Sequence, residues 1–362
     1  MSPVAKRCFE VSIPLKRAIE YRNVFDAPFK IYGLHNGSKN KFYRLALKFA
    51  ENIDGSIAAR MKEPSGVRVR FATNSPFVAI KAELVYDPSS QDPPTACKSF
   101  DLYVEKNGIF YFHNSFCPQN NNENKIEQIS YFPDERTRNI VINFPIGASV
   151  KSLKIGIQKE RDLFEGNGYK YEYPVVFYGS SVTQGFCASR PGNTFPDFIS
   201  RALNCDYINM GFSSCPFGNE SIAHFIANIP MSAIVIGYDY DSPNAQKLEE
   251  KHRRFYSIIR EKNPSLPIVL LSPAYDSEMK EEKRCQKVII DTYSFGLLNG
   301  DDNLYYIDGC TLFRKDLLFD CTVDGHRPND LGMYFIAKKI SKMLIGILRS
   351  SLFDALSCPE ES

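Results

Sequence analysis

Hydrophobic and polar positions alternate through the first half of this chain, then change period near residue 172. Val67-Arg68-Val69-Arg70-Phe71 alternates strictly, as a strand with one buried face does. Residues 77–84, 100–104 and 109–112 keep the same rhythm. Turn-forming clusters such as Asp87-Pro88-Ser89-Ser90 and Gln119-Asn120-Asn121-Asn122 separate them, and the polar run 118–125 reads as a loop. Many short strands divided by turns predict a β-sandwich. From Tyr173 the rhythm becomes strand, helix, strand, with strands expected at 175–178, 207–210, 233–237, 268–271 and 305–307. The last helix is the clearest, because Ile336, Ile340, Leu344 and Ile347 fall on one face at helical spacing. Such alternation predicts a mostly parallel sheet covered on both faces. The expected organisation is a sandwich domain over 1–172, an α/β domain over 173–352 and a tail over 353–362, joined near Glu165-Gly166-Asn167-Gly168.

Composition narrows the classes of function. The 362 residues exceed what one compact core needs and suit two domains. A net charge of +2 gives no electrostatic reason for nucleic acid or an anionic membrane as partner. The first fifteen residues hold Lys6 and Arg7 but no apolar stretch of a secretory signal, and no apolar run has the length to span a bilayer. The ten cysteines are scattered singly without a C-x-x-C pair, which speaks against structural zinc. The expectation is reduced thiols in a cytoplasm.

The candidate chemistry lies in Val175-Val176-Phe177-Tyr178-Gly179-Ser180-Ser181-Val182-Thr183-Gln184-Gly185. An apolar strand stops at a glycine, serines follow, and a second glycine closes the turn. This exposes a hydroxyl at the carboxyl end of a strand, where sites form in open parallel sheets. The spacing Gly-x-Ser-x-Thr-x-Gly differs from the Gly-x-Ser-x-Gly elbow. Taken alone, the segment also reads as a plain strand-to-helix turn.

The later blocks change that balance. Residues 174–192, which include Cys187-Ala188-Ser189-Arg190-Pro191-Gly192, resemble the nucleophile block of the SGNH (GDSL-type) hydrolases, in the subgroup with a β-sandwich in front. Ser99-Phe100-Asp101-Leu102-Tyr103 is similar to that subgroup's G-x-D-L-Y signature with Ser99 in place of Gly, and Ile31-Tyr32-Gly33 and Arg68-Val69-Arg70-Phe71 also fit. The resemblance spans about Phe25 to Leu344. It implies a flavodoxin-like three-layer α/β domain with a parallel sheet, preceded by a jelly-roll-like β-sandwich.

It also implies roles, position by position. Ser181 stands at the nucleophile, with its own N–H as one oxyanion donor, and Ser180 replaces the aspartate of the name motif. In Asn209-Met210-Gly211-Phe212-Ser213-Ser214, Ser214 occupies the place of an oxyanion glycine and keeps the N–H. In Gly237-Tyr238-Asp239-Tyr240-Asp241-Ser242-Pro243, Asp241 replaces an oxyanion asparagine, and an ionised carboxylate has no proton to donate. In Thr322-Val323-Asp324-Gly325-His326-Arg327-Pro328, the family pattern Asp-x-x-His-Pro puts Arg327 at the base position and moves the histidine to His326. An arginine cannot serve as base, because its pKa is above about 12.

Three readings stay open. The first is a serine esterase with Ser181, His326 and Asp324 as catalytic residues and Ser181, Ser214 and Asp241 at the oxyanion. Its resemblance-implied substrates are small acyl esters, acetyl groups on carbohydrate among them. The second is a degenerate hydrolase that binds a carbohydrate or acylated ligand without turnover, in which Arg327 pairs with Asp324 and His326 is a surface residue. The third is acyl transfer through the same serine. Of the other histidines, His252 is expected to be structural on its helix.

Overall fold

A computed structural model describes residues 9–10, 18–34, 40–46, 49, 53–86, 93–120, 122–215, 217–238, 244–274 and 280–357. The turn at Asp87–Ser90 and the block from Asp239 to Pro243 therefore lie outside the described residues. The chain divides into two compact units. The first takes in the described residues up to Tyr169 apart from Ile53–Ile57, together with Ala188–Gly192. The second holds Ile53–Ile57, Lys170–Cys187 and the described residues from Asn193 onward.

The strands of the first unit are β1 (Phe9–Glu10), β2 (Ile19–Asn23), β3 (Lys30–Tyr32), β4 (Arg68–Thr73), β5 (Phe77–Val85), β6 (Phe100–Lys106), β7 (Ile109–Phe116), β8 (Lys125–Tyr131), β9 (Arg138–Asn143), β10 (Ser149–Gln158) and β11 (Leu163–Phe164). One antiparallel sheet runs β1-β8-β5-β10-β2, and a second runs β11-β4-β9-β6-β7 with β3 beside β4. Alternation sends Val69 and Phe71, Leu102 and Val104, and Ile140 and Ile142 inward from the second sheet. There they share one core with Val78, Ile80, Ile126 and Ile155 of the first. This is the predicted sandwich.

One expectation is corrected. Residues 67–71 read as a half-buried strand, yet every residue of β4 is buried. Arg68 and Arg70 face away from the apolar core but are covered. Arg68 donates to the Tyr169 hydroxyl at 2.6 Å, and the Arg70 guanidinium lies 4.2 Å from the Tyr169 ring and 4.7 Å from the Phe110 ring. Aromatic faces and a phenol oxygen cover groups that alternation alone assigns to solvent.

The second unit alternates β12 (Tyr171–Gly179), β13 (Cys205–Gly211), β14 (Ala233–Gly237), β15 (Ile268–Leu271) and β16 (Leu304–Ile307) with helices. Numbering helices from α1 (Gly55–Arg60) and α2 (Pro94–Cys97), these are α3 (Ser181–Gln184), α4 (Phe195–Leu203), α5 (Glu220–Ala227), α6 (Ala245–Lys262), α7 (Lys280–Leu298) and α8 (Asp330–Ser357). The sheet order β13-β12-β14-β15-β16 is parallel throughout. Counted within this unit it is 2-1-3-4-5, the flavodoxin-like order. Val175, Phe177, Val235 and Val269 pack on α4 and α8, where Ile336, Ile340, Leu344 and Ile347 form the expected buried stripe. On the opposite side α5, α6 and α7 pack in sequence, and Tyr178 stacks on Phe255 of α6. The result is three layers. Helix α8 continues to Ser357, past residue 352 where the α/β domain was expected to end. Among the described residues, no helix is long and apolar enough to cross a membrane.

Candidate active site

Strand register gathers the chemistry-bearing blocks at one end of the parallel sheet. Gly179 at the end of β12 is opposite Gly211 of β13 on one side and Gly237 of β14 on the other. Three segments far apart in sequence thus leave the sheet at the same level. The β12–β14 boundary is where the strand order reverses, the place where open α/β sheets form their ligand sites.

The turn after β12 is held tightly. Ser180 adopts an extended backbone and caps α3, its hydroxyl accepting the Val182 N–H at 3.3 Å. Ser181 is the first helical residue and is 7% exposed. After one turn Gly185 takes φ +108°, a conformation that suits glycine. The N–H groups of Gly185 and Phe186 both donate to the Ser181 carbonyl, at 2.9 and 3.0 Å.

The second block is bonded to this turn. The Asn209 amide donates to the Thr183 carbonyl at 2.8 Å, and its oxygen accepts the Gly211 N–H at 2.8 Å. The buried Gln184 side chain accepts the Ser213 N–H at 2.9 Å. A side chain at Gly211 would collide with the Gln184 backbone, so only glycine lets β13 end this close to α3. Ser214 follows with φ +56° and an exposed side chain. It therefore holds the left-handed conformation that a glycine would take at no cost. Asp241 lies outside the described residues. Just before it, Tyr238 packs against the Tyr178 ring, and Tyr178 accepts the Gly218 N–H at 3.2 Å. Burial pushes the Tyr178 hydroxyl far above its usual pKa, so it remains protonated.

The fourth block forms a closed loop ahead of α8. Thr322 bridges to Pro328, and the Val323 N–H donates to the Arg327 carbonyl at 2.9 Å. Inside it, Asp324 accepts the backbone N–H groups of His326 and Arg327, at 3.1 and 2.8 Å. The Arg327 Nε reaches its other oxygen at 2.7 Å. Partial burial raises the Asp324 pKa, but the Arg327 and His326 N–H groups, the guanidinium bond and its charge outweigh that, so the carboxyl sits below its usual value. His326 is exposed. Among the described residues its imidazole hydrogen-bonds to none, and its link to Asp324 is through the backbone alone.

The structure thus ties the Ser181 turn to the Ser214 loop, and Asp324 to Arg327. Sequence reasoning missed a further connection. Asn193, 7% exposed, donates to Asp330 at 2.7 Å. It joins the segment after the nucleophile turn to the first residue of α8, directly behind the Asp324 loop. The available signal was only a polar residue beside the Arg190-Pro191-Gly192 run. Of the other histidines, His113 contacts the Tyr131 carbonyl, His224 lies in the last turn of α5, and His252 is buried against Thr292. His35 lies outside the described residues. Among the described residues no cluster of His, Cys, Asp and Glu is arranged to hold a metal ion.

Comparison with known proteins places the chain by family and fold. The model of the GDSL-like lipase/acylhydrolase family matches residues 172–345. The GxDLY model, which describes the N-terminus of SGNH-hydrolase-type esterases, matches residues 19–163. A structure described as a GDSL-like lipase from Bacteroides ovatus superposes with a TM-score of 0.83 at 23% identity, over 91% of this chain and 98% of that one. The salicylyl-acyltransferase SsfX3 of a tetracycline biosynthetic pathway gives 0.74 at 18% identity, over 92% and 99%. An acetyl xylan esterase from Butyrivibrio proteoclasticus gives 0.55 at 13% identity, over 91% and 99%. These likenesses establish a shared fold. No curated protein matches the sequence.

Proposed function

The chain belongs to the SGNH (GDSL-type) hydrolases, in the subgroup with an N-terminal β-sandwich, and from that premise we propose that it is a serine esterase for small acyl esters, acetyl groups on carbohydrate foremost. The observation that carries this reading is the placement of Ser181: first in its helix, at the strand-order reversal, with the Ser214 loop bonded to the same turn. The Ser181 hydroxyl attacks the ester carbonyl carbon while His326 removes its proton. The N–H groups of Ser181 and Ser214 receive the oxyanion. As the tetrahedral intermediate collapses, the carbon–oxygen bond to the alcohol breaks and His326 returns the proton to that oxygen. Water then repeats the sequence on the acyl-enzyme. Asp241, at the family's asparagine position, is a donor here only when protonated. Asp324 orients His326 once the imidazole takes the place that the guanidinium of Arg327 holds. The carbohydrate part of the proposal is supported by the acetyl xylan esterase among the structural neighbours. No cofactor is needed, because the serine supplies the nucleophile.

One observation favours a second reading. Asp324 is ion-paired with Arg327 and His326 is exposed, as in a protein that keeps the cleft and binds an acylated ligand without turnover. Losing the base of a serine triad costs on the order of a million-fold.

Intact mass after treatment with a fluorophosphonate, on wild type and Ser181→Ala, separates the two. The esterase reading expects rapid stoichiometric labelling that Ser181→Ala abolishes. Folded wild type that stays unlabelled refutes it and leaves the binding protein.

A further inference from the structure

The esterase reading gives no task to Asp101, the aspartate of the sandwich signature. Its side chain is fully buried, at 0% exposure, on β6. Leu102 points into the core between the sheets, so Asp101 and Tyr103 project from the opposite face. Register sets Asp101 between Asn143 of β9 and Ser115 of β7, and Tyr103 between Val141 and Phe112. A buried carboxylate persists only where donors replace its lost water. The Gly192 N–H donates to it at 2.7 Å. Ser115 donates at 3.0 Å, and the Arg190 Nε lies 3.5 Å away. The Arg190 guanidinium in turn sits 4.0 Å from the Phe112 ring.

Gly192 is excluded from being anything larger by space, since a Cβ there would run into the Tyr103 ring and hydroxyl. The Asp and Tyr of the signature therefore form a seat for Arg190–Gly192. That segment is the continuation of the Ser181 turn. Gly185 and Phe186 bond the Ser181 carbonyl, and Cys187 follows at φ +72°. A non-glycine residue in that conformation persists only when its surroundings hold it.

We propose that Asp101 is a positioning residue: its carboxylate fastens the segment Ala188–Gly192 and thereby keeps the Gly185–Phe186 end of the Ser181 turn closed. Its catalytic meaning rests on the proposed role of Ser181, but its test does not require turnover. Hydrogen exchange is measured on the full chain for wild type, Asp101→Asn and Asp101→Leu. In wild type the Gly192 amide is expected to be protected. Asp101→Leu removes a charge-assisted bond and is expected to speed exchange at Gly192, and at Gly185 and Phe186, by roughly tenfold or more. Amides of β12 and β13 should not change. Asp101→Asn keeps an acceptor for the Gly192 N–H and should retain most of the protection, which a role in bulk stability alone would not predict. Solvent-rate exchange at Gly192 in wild type overturns the proposal. So does unchanged exchange at Gly185 and Phe186 in Asp101→Leu, or a rise spread evenly over β12 and β13. If Asp101→Leu does not fold, Gly192→Ala tests the same seat, and unchanged exchange at Gly185 and Phe186 in that variant overturns it equally. Fluorophosphonate labelling of wild type is run alongside. Its failure sinks the esterase reading, while the exchange pattern still decides the role of Asp101.

Discussion

At position 327 a guanidinium stands where the SGNH pattern has an imidazole, and it occupies the carboxylate that would orient a base. The pair is about half exposed on the arginine side, so its worth to stability is small. Its worth to chemistry is larger, because it decides which side chain Asp324 addresses. Arg327→His restores the family spacing of three residues from Asp324. Ser181 labelling by a fluorophosphonate is expected to rise about a hundredfold, the low end of what a positioned base contributes. No gain in the folded variant would mean that the loop does not aim residue 327 at the nucleophile. Ser214 shows the opposite relation between sequence and structure. Its identity left open whether the backbone reaches a glycine-like conformation, and φ +56° answers that it does. The exposed hydroxyl side chain leaves the N–H in the chain and meets the steric cost locally.

Among the elements, α6 and α7 are joined by a buried imidazole. His252 of α6 meets the Thr292 hydroxyl of α7 at 2.9 Å. Burial brings its pKa down from 6.5 to about 4. The sign follows from proton counting. Between those values the unfolded chain binds a proton that the folded chain does not, so stability increases with pH. The stabilisation is complete above about 6.5 and is lost as pH falls toward about 4, amounting to about 3 kcal/mol in all. Denaturant midpoints at pH 7 and pH 4.5 should show this loss, and His252→Gln should remove most of it. An equal acid loss in His252→Gln would assign the effect elsewhere. The elements themselves were readable because period reports burial. The expected strand at 233–237 coincides with β14, and the stripe on α8 is buried as its spacing required. Strand starts were less readable: β12 begins at Tyr171, four residues before the apolar run, because backbone pairing with Cys205 does not depend on side-chain pattern.

For the molecule as a whole, the decisive event is the arrival of separate blocks at one sheet end. Gly211 makes this concrete, since its Cα lies against the backbone of Gln184, 27 residues earlier. Gly211→Ala is expected to cost about 1–3 kcal/mol by overpacking, and to slow Ser181 labelling by displacing α3. Gly346→Ala is the control: nothing lies within 4 Å of the added carbon, and it should stabilise α8 by about 0.5–1 kcal/mol. Thermal melts of the two variants should move in opposite directions, and a harmless Gly211→Ala would show that the approach is loose. By itself the sequence determined the two rhythms, the sandwich and parallel-sheet architectures, and the blocks that resemble the SGNH pattern. Those depend on neighbours along the chain, where side-chain period and turn chemistry act. Only the tertiary structure decided that Arg68 and Arg70 are buried under aromatic rings, that Asn193 bonds Asp330, that Asp101 seats Gly192, and that Asp324 faces Arg327. Each is a pairing of groups that only folding brings within bonding distance or a loop orients, and a linear pattern carries no term for where a polar side chain finds its partner.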